Sequence, residues 1–331
     1  MTVPSSLPDQ RLHRTVVALG GGHGLAATLS ALRRVVDDLT AVVTVADNGG
    51  SSGRLRDEFG VLPPGDLRMA LAALCGDDDW GQTWAEVLQH RFAGHGDMHG
   101  HAVGNLLIVA LWELLGEHVN GLDWVGRLLG ASGRVLPMAI TPMDITARVR
   151  GTDPSHPDRV DLVRGQVQVA TTEGQLVGIH LDPEDPVACP EAVAAVRRAD
   201  WVVLGPGSWY TSVIPHLMVP ELRRALVETD ARVLVVLNLA EQAGETSGYD
   251  ALDHLAALFE HAPDLQVDTV LADPSTVPDS AELKGAVASS GADLVVAHVA
   301  AEDGSHRHDP ARLARACAEI MRGVTGSAAW R

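Results

Sequence analysis

The sequence predicts an α/β protein built on a doubly wound, mostly parallel Rossmann-like sheet that carries an antiparallel β insertion. Three observations point there. Short apolar runs rich in Val, Ala and Leu alternate with helical stretches along most of the chain. Aromatic residues make up only 4%, and small aliphatic side chains suit strands covered by helices on both faces. One segment, about 144–182, changes to period-two alternation punctuated by Gly and Asp, as antiparallel strands do.

The elements follow in order. Residues 1–14 are polar and contain Pro and Ser, which predicts a loose N-terminal tail and leaves 15–331 as a single domain. Residues 16–19 form the first strand, and 25–36 read as an amphipathic helix. Residues 41–46, A-V-V-T-V-A, are the β-branched second strand. Helical periodicity covers about 66–74, 84–91 and 104–115. The strings R-V-R-G, R-V-D-L-V-R-G-Q-V-Q-V and L-V-G-I-H-L supply the inserted antiparallel strands. Later strands lie at 201–204, 233–237, 269–271 and 294–299, and a last helix starts near Pro310, a residue suited to a first turn.

Charge and cysteine content exclude several functions. With 25 basic and 43 acidic residues the formal net charge is -18. That field repels nucleic acid and anionic membranes, so neither partner is expected. A small anion can still be held by local backbone N–H groups. The three cysteines are far apart and form no C-x-x-C pair, which argues against a disulfide framework or a zinc knuckle. There is no basic-then-apolar leader and no apolar run of about 18 residues, so a cytoplasmic location is expected.

Chemistry concentrates where strands end. Gly20-Gly21-Gly22-His23-Gly24 follows the first strand and opens a helix. Glycines allow close backbone approach, and the helix N-terminus offers unpaired N–H groups to a phosphate. Gly22-x-Gly24-x-x-Ala27 fits the dinucleotide fingerprint, with Asp47 about 20 residues on. After the second strand comes Asp47-Asn48-Gly49-Gly50-Ser51-Ser52-Gly53-Arg54, read as a loop of oxyanion and sugar-hydroxyl partners. In Pro63-Pro64-Gly65-Asp66-Leu67-Arg68, Asp66 is placed to cap the next helix. Arg68 in a first turn opposes the helix dipole, which a ligand or a carboxylate partner would explain.

Further along, His95, His99 and His101 stand in a Gly-rich loop, but loosely spaced, and a metal is not expected there. His101 and Asn105 are four apart at a helix start and can face one ligand. Gly205-Pro206-Gly207-Ser208-Trp209-Tyr210-Thr211-Ser212 and then Asn238, with Glu241-Gln242 behind it, end two further strands. They border the same crevice if the sheet is doubly wound. Asp253 and His254 read as a helix-surface pair. There is no G-x-S-x-G elbow and no G-x-x-x-x-G-K-[ST] loop, which argues against serine hydrolysis and P-loop chemistry.

Taken together, G-G-G-H-G-L, D-N-G-G-S-S-G-R-L-R, P-P-G-D-L-R, G-H-A-V-G-N-L-L, G-P-G-S-W-Y-T-S-V-I-P, N-L-A-E-Q-A-G-E-T and the closing R-H-D resemble the gluconeogenesis factor family, YvcK-like members of the CofD-like superfamily. The ordered set spans nearly the whole chain. The resemblance implies binding of a UDP-sugar, UDP-N-acetylglucosamine above all, in support of cell-wall synthesis and cell shape, with no established reaction and no firm cofactor. It admits homo-oligomers and cell-wall synthesis proteins as partners. A sister branch transfers a phospholactyl-type group to a deazaflavin in coenzyme F420 synthesis, with Mg²⁺.

Carried over by resemblance, Gly21, Gly22 and Gly24 would hold the diphosphate, beside His23. Asp47, Asn48, Gly49, Gly50, Ser51, Ser52 and Arg54 would surround it, with Asp66, Arg68 and His101 nearby. Asn105, Gly207, Ser208, Tyr210, Thr211 and Asn238 would line the opposite wall, and Arg307 would reach in from the C-terminal segment. Departures from the family pattern are His23 for a usual Thr, Asn48 for a second Asp, Ala102 for a Ser and Glu241 for a Thr. The loss of a carboxylate at Asn48 weakens a Mg²⁺ site. Two rival readings remain. A deazaflavin transferase would need the metal and a flat apolar pocket, for which Trp209 is a stacking platform. A nicotinamide dehydrogenase would need a separate catalytic set, and none is visible.

Overall fold

The structure, a computed structural model, describes residues 11–242, 244–277 and 280–323. Strand β1 (Leu12–Gly20) is fully buried from Val16 onward. It already begins at Leu12, whose N–H donates to Val35 O at 2.7 Å. The loose tail expected over 1–14 therefore does not include 12–14, and residues 1–10 lie outside those described. Helix α1 (Gly22–Leu32) buries Leu25, Leu29 and Leu32 at helical spacing against the sheet. Each such Leu stabilises by about 1.5–3 kcal/mol.

Strand β2 (Val36–Val43) starts earlier than the apolar run suggested, because pairing with β1 carries the exposed Asp37 and Asp38 into the ladder. Helix α2 (Gly50–Phe59) occupies what read as a Gly/Ser loop, and Ser51 and Ser52 are buried in its first turn. Helices α3 (Gly65–Ala73), α4 (Asp79–Gln89), α5 (Val103–Leu115) and α6 (His118–Leu129) follow. Asp78 caps α4 by accepting from Gly81 N at 2.8 Å. Strand β3 (Arg134–Pro137) was not foreseen, since its four residues show no periodicity of their own.

The insertion comprises β4 (Asp144–Arg150), β5 (Val160–Arg164), a short helix α7 (Gln166–Ala170) and β6 (Gln175–Asp182). It forms a separate antiparallel sheet in the order β5-β4-β6. The chain then returns through α8 (Pro190–Arg198), β7 (Trp201–Leu204) and a π-helical turn at Trp209–Val213. After these come α9 (Pro215–Met218), α10 (Pro220–Glu228), β8 (Arg232–Val236) and α11 (Ala251–His261). The last elements are β9 (Thr269–Ala272), α12 (Ser280–Ser289), β10 (Asp293–Val296) and α13 (Pro310–Met321). Asp309 caps α13 and Pro310 opens it.

The main sheet has seven parallel strands in the order β10-β9-β8-β7-β1-β2-β3. The chain runs outward from β1 to β3, then restarts at β7 on the other side of β1 and runs outward to β10. The reversal falls between β1 and β7, and ligands of doubly wound sheets bind at the carboxyl ends of the strands at such a point. Two Gly-rich loops stand there: 20–24 after β1 and 205–208 after β7. None of the helices among the described residues is long and apolar enough to cross a membrane.

Candidate functional site

The two loops are clasped together. Gly24 lies against the next loop so closely that a Cβ there would run into the Pro206 carbonyl. Thr28 of α1 donates to Gly205 O at 3.2 Å. The far side is tied by Asn238, which follows β8. Its Oδ1 accepts from Gly207 N and its Nδ2 donates to Gly207 O, both at 2.9 Å. Gln242 accepts from Trp209 N at 3.2 Å and donates to Ser208 Oγ at 3.3 Å. Three strand-end loops thus form one rigid rim, and the first-turn amides of α1 open onto it. Such a helix N-terminus is suited to an anion.

Beneath the first loop lies an acidic floor. A Cβ on Gly21 would meet Thr44 Cγ2 at 2.5 Å, Asp66 Oδ2 at 2.6 Å and Ser212 Oγ at 3.2 Å, so these three groups sit directly under the backbone. Asp66 does not cap α3, where Pro64 holds that position. Burial, then the neighbouring Asp47, push its carboxyl up to about 7, partly offset by a Gly22 N–H and by Arg68. It is therefore about half protonated near neutral pH and can donate to an anionic oxygen. Asp47 spends one oxygen on Gly49 N at 2.8 Å.

The insertion roofs the crevice. Asn48 uses its whole amide on α7: Nδ2 donates to Gln168 Oε1 at 2.9 Å, and Oδ1 accepts from Val167 N at 3.0 Å. Gly165 lies at φ +101, where a Cβ would clash with Asn48. Gln166 donates to Thr211 O at 3.0 Å. One short helix thus bridges the loops after β2 and β7. Sequence placed Asn48 against the ligand; the structure gives it a bracing role instead.

Two joined cavities result. One of about 640 Å³ lies between the first turn of α1, the loops after β7 and β8, and the segment 301–310. The other, of about 320 Å³, runs inward under α7 to Asp66 and Ser212. They share His23, Gly24, Gly207 and Gln242. Arg307 lines the outer one. It is exposed and pairs with Asp303 at 2.9 Å, with a second bond to Ser305 Oγ at 3.2 Å. Behind it, burial pushes the His308 imidazole down to about 4, against the pull of Asp273 and the Leu237 carbonyl. A further cavity of about 690 Å³ lies at the opposite ends of β1 and β2, away from the two Gly-rich loops, and is lined by Asp37 and Asp38 together with Arg11, Arg134 and Arg198.

Several expected ligand residues point elsewhere. Ser51 Oγ is a structural hub, 3.0 Å from His101 Nδ1 and accepting from Asn105 Nδ2 at 3.0 Å and Ala102 N at 3.3 Å. Ser51, His101 and Asn105 are all buried, and burial lowers the His101 pKa. Ser52 is buried against Gly65, while Gly50 is exposed. Arg54 donates to Asp97 O at 3.1 Å and His99 O at 2.7 Å, pinning the 94–101 loop. Tyr210 and Thr211 turn onto Glu245, through Tyr210 N at 3.0 Å and Thr211 Oγ1 at 2.6 Å. The Tyr210 hydroxyl meets Tyr249 at 2.9 Å. Thr211 still borders the inner cavity. Trp209 is fully buried and offers no face for a flavin. His254 packs edge-on against it and is buried rather than on the helix surface.

Sequence reasoning passed over Gln242, Ser212 and Gln166, all of which line the inner cavity. Ser212 and Gln242 lie within the Gly205–Ser212 string and the N-L-A-E-Q-A-G-E-T string, which carry a local signal, whereas Gln166 has none. For Mg²⁺ the donor set fits poorly. Among the described residues no group of three His, Cys, Asp or Glu is placed to hold a metal. Asp47 gives one oxygen to Gly49 N, Asp66 is only partly ionised, and Asn48 is engaged with α7.

Known proteins share the family and the fold. The family described as 2-phospho-L-lactate transferase CofD matches residues 16–308. A Mycobacterium tuberculosis relative is 51% identical over 302 residues, covering 90% of this chain and 88% of its own. A Bacillus subtilis protein named gluconeogenesis factor is 35% identical over 269 residues, covering 81% of each. Among solved structures, a crystal structure of a Bacillus halodurans protein superposes with a TM-score of 0.81 at 32% identity, covering 92% of this chain and 99% of that one. A second crystal structure from that organism, a UPF0052 family member, gives the same TM-score.

Proposed function

The chain belongs to the CofD family, with relatives named gluconeogenesis factor, and on that premise we propose that it binds a UDP-sugar, UDP-N-acetylglucosamine first, at the β1/β7 crevice. The observation that carries this is the clasp of two Gly-rich loops around the N-terminus of α1, opening on paired cavities. The diphosphate sits on the first-turn amides of α1, where the dipole and unpaired N–H groups favour negative charge. Protonated Asp66 donates to a phosphate oxygen from below. Arg307 leaves its Asp303 partner and takes an anionic oxygen at the mouth by charge-assisted bonds. The sugar and base divide the outer cavity and the space under α7.

The role is that of a metabolite sensor acting in envelope synthesis, with no reaction step. Asn238, Gln242 and Gln166 spend their amides on bracing the loops, and no nucleophile–base pair stands among the described residues of the rim. A deazaflavin transferase draws support from the family description, but it loses the stacking platform that Trp209 would have supplied.

Isothermal titration with UDP-N-acetylglucosamine, GTP and NAD, each with and without Mg²⁺, tests the reading. Metal-independent binding of the UDP-sugar alone, at about micromolar affinity, is expected, and Arg307→Ala weakens it at least tenfold. Binding of GTP alone, and only with Mg²⁺, overturns the sensor role and favours the transferase.

A further inference from the structure

On the other side of α1 a groove of about 640 Å³ runs between α1, α3 and α4. It meets the crevice at the first turn of α1: His23 and Ala27 line both, and His23 also lines the inner cavity. Much of the groove wall is alanine methyls contributed by all three helices. These side chains are too short to fill it and offer a polar ligand nothing.

Its polar end is built around Arg68. Arg68 as a whole residue is only 4% exposed. Its Nη1 donates to Gln89 Oε1, and its Nε has no partner. A guanidinium carries five donors, and buried donors are as a rule satisfied. A second cation, Arg91, lines the same end and gives one donor to Gly100 O at 2.8 Å. Burial and then Arg91 bring the Arg68 pKa down to about 10, still fully charged at neutral pH; Asp66 and Asp47 oppose that shift. Two guanidinium groups thus line one apolar groove with donors to spare; Asp66 and Asp47 lie near enough to act on Arg68 through space, but among the described residues no carboxylate is hydrogen-bonded or ion-paired to either group.

We propose that this groove is a second ligand site, taking a small molecule whose carboxylate or phosphate sits on Arg68 and Arg91 and whose apolar body lies on the alanines. The planar fork of Arg matches either anion. Because the groove joins the crevice only at His23 and Ala27, its ligand lies beside the crevice ligand, and the two are bound together. The site does not depend on which nucleotide fills the crevice.

Titration of the full chain with inorganic phosphate, and separately with malonate, tests this, each with the crevice free and saturated with UDP-N-acetylglucosamine. Saturable binding of one of the two anions is expected with the crevice filled, and which of them binds separates the phosphate from the carboxylate source. Arg91→Gln, at an exposed position, weakens it at least tenfold and leaves UDP-sugar binding unchanged. Arg68→Gln does the same to the anion, once circular dichroism establishes that this buried variant folds. Absence of saturable binding, or binding indifferent to Arg91→Gln, overturns the proposal. Displacement by the UDP-sugar together with loss in Arg307→Ala also overturns it, by placing the anion in the crevice. If the UDP-sugar fails to bind while anion binding to the free chain still needs Arg91, the crevice reading falls and the groove stands.

Discussion

Asn238 and Gly207 exchange two hydrogen bonds of 2.9 Å each, an amide side chain pairing with a backbone peptide across two strand-end loops. The pair fixes the loop after β7 against the loop after β8 on the wall of the proposed ligand site.

Asn238→Ala removes both bonds and leaves the Gly207 peptide unpaired. A loss of about 1–3 kcal/mol in stability is expected, read by chemical denaturation. Because the freed loop must be ordered again on binding, UDP-sugar affinity falls as well. Unchanged stability and affinity would show that the pair is dispensable.

Gly24→Ala drives a methyl into the Pro206 carbonyl, a backbone atom that can yield only if the two loops separate. Overpacking of this kind costs about 1–3 kcal/mol or more. Thermal melting detects the loss. Gly50→Ala, where a Cβ meets nothing within 4 Å, is the comparison: its positive φ alone costs about 1 kcal/mol.

Asp66 sets a pH dependence. Its carboxyl is raised from an ordinary 3.8 to about 7, so the folded state holds the proton more tightly than the unfolded chain. The stability linked to that proton is fully present below about pH 4 and is lost as pH rises through about 7. Binding of an anionic diphosphate weakens in the same direction, by up to about tenfold per pH unit above the pKa. Asp66→Asn flattens both profiles between pH 5 and 8 on the order of the measured slope. Wild-type profiles already flat over that window would rule the coupling out.

Asn48→Ala cuts α7 loose from the loop after β2, removing bonds to Val167 and Gln168. Hydrogen exchange is expected to speed up at the α7 amides with little change in β1 and β2, because only local opening is affected. Protection factors that stay the same in α7 would show that Gln166 alone holds the roof.

The motifs that give the site its character were legible because they are local. A Gly-rich string after a β-branched run and before a helical period can hardly be anything but a strand–turn–helix, and loops 20–24 and 205–208 stand where expected. What could not be read was the direction of individual side chains. Ser51, Asn105 and Tyr210 carry the right chemistry for a ligand, yet each gives a hydrogen bond to, or accepts one from, a partner 35 to 54 residues away. Gln166 carries no local signal and reaches the site through a contact across 45 residues.

By itself the sequence determined the α/β class, the alternation of strands and helices, the inserted antiparallel strands and the chemical character of the loops, since hydrophobic period, Gly placement and β-branching act over a few residues. The tertiary structure alone decided that the sheet reverses between β1 and β7, that Asn48 braces a roof instead of a ligand, that Asp66 is held half protonated and that Arg68 turns toward a groove of its own. Those outcomes depend on burial and on pairings between residues distant in the chain. Desolvation and packing act on neighbours in space, and a linear sequence does not display them.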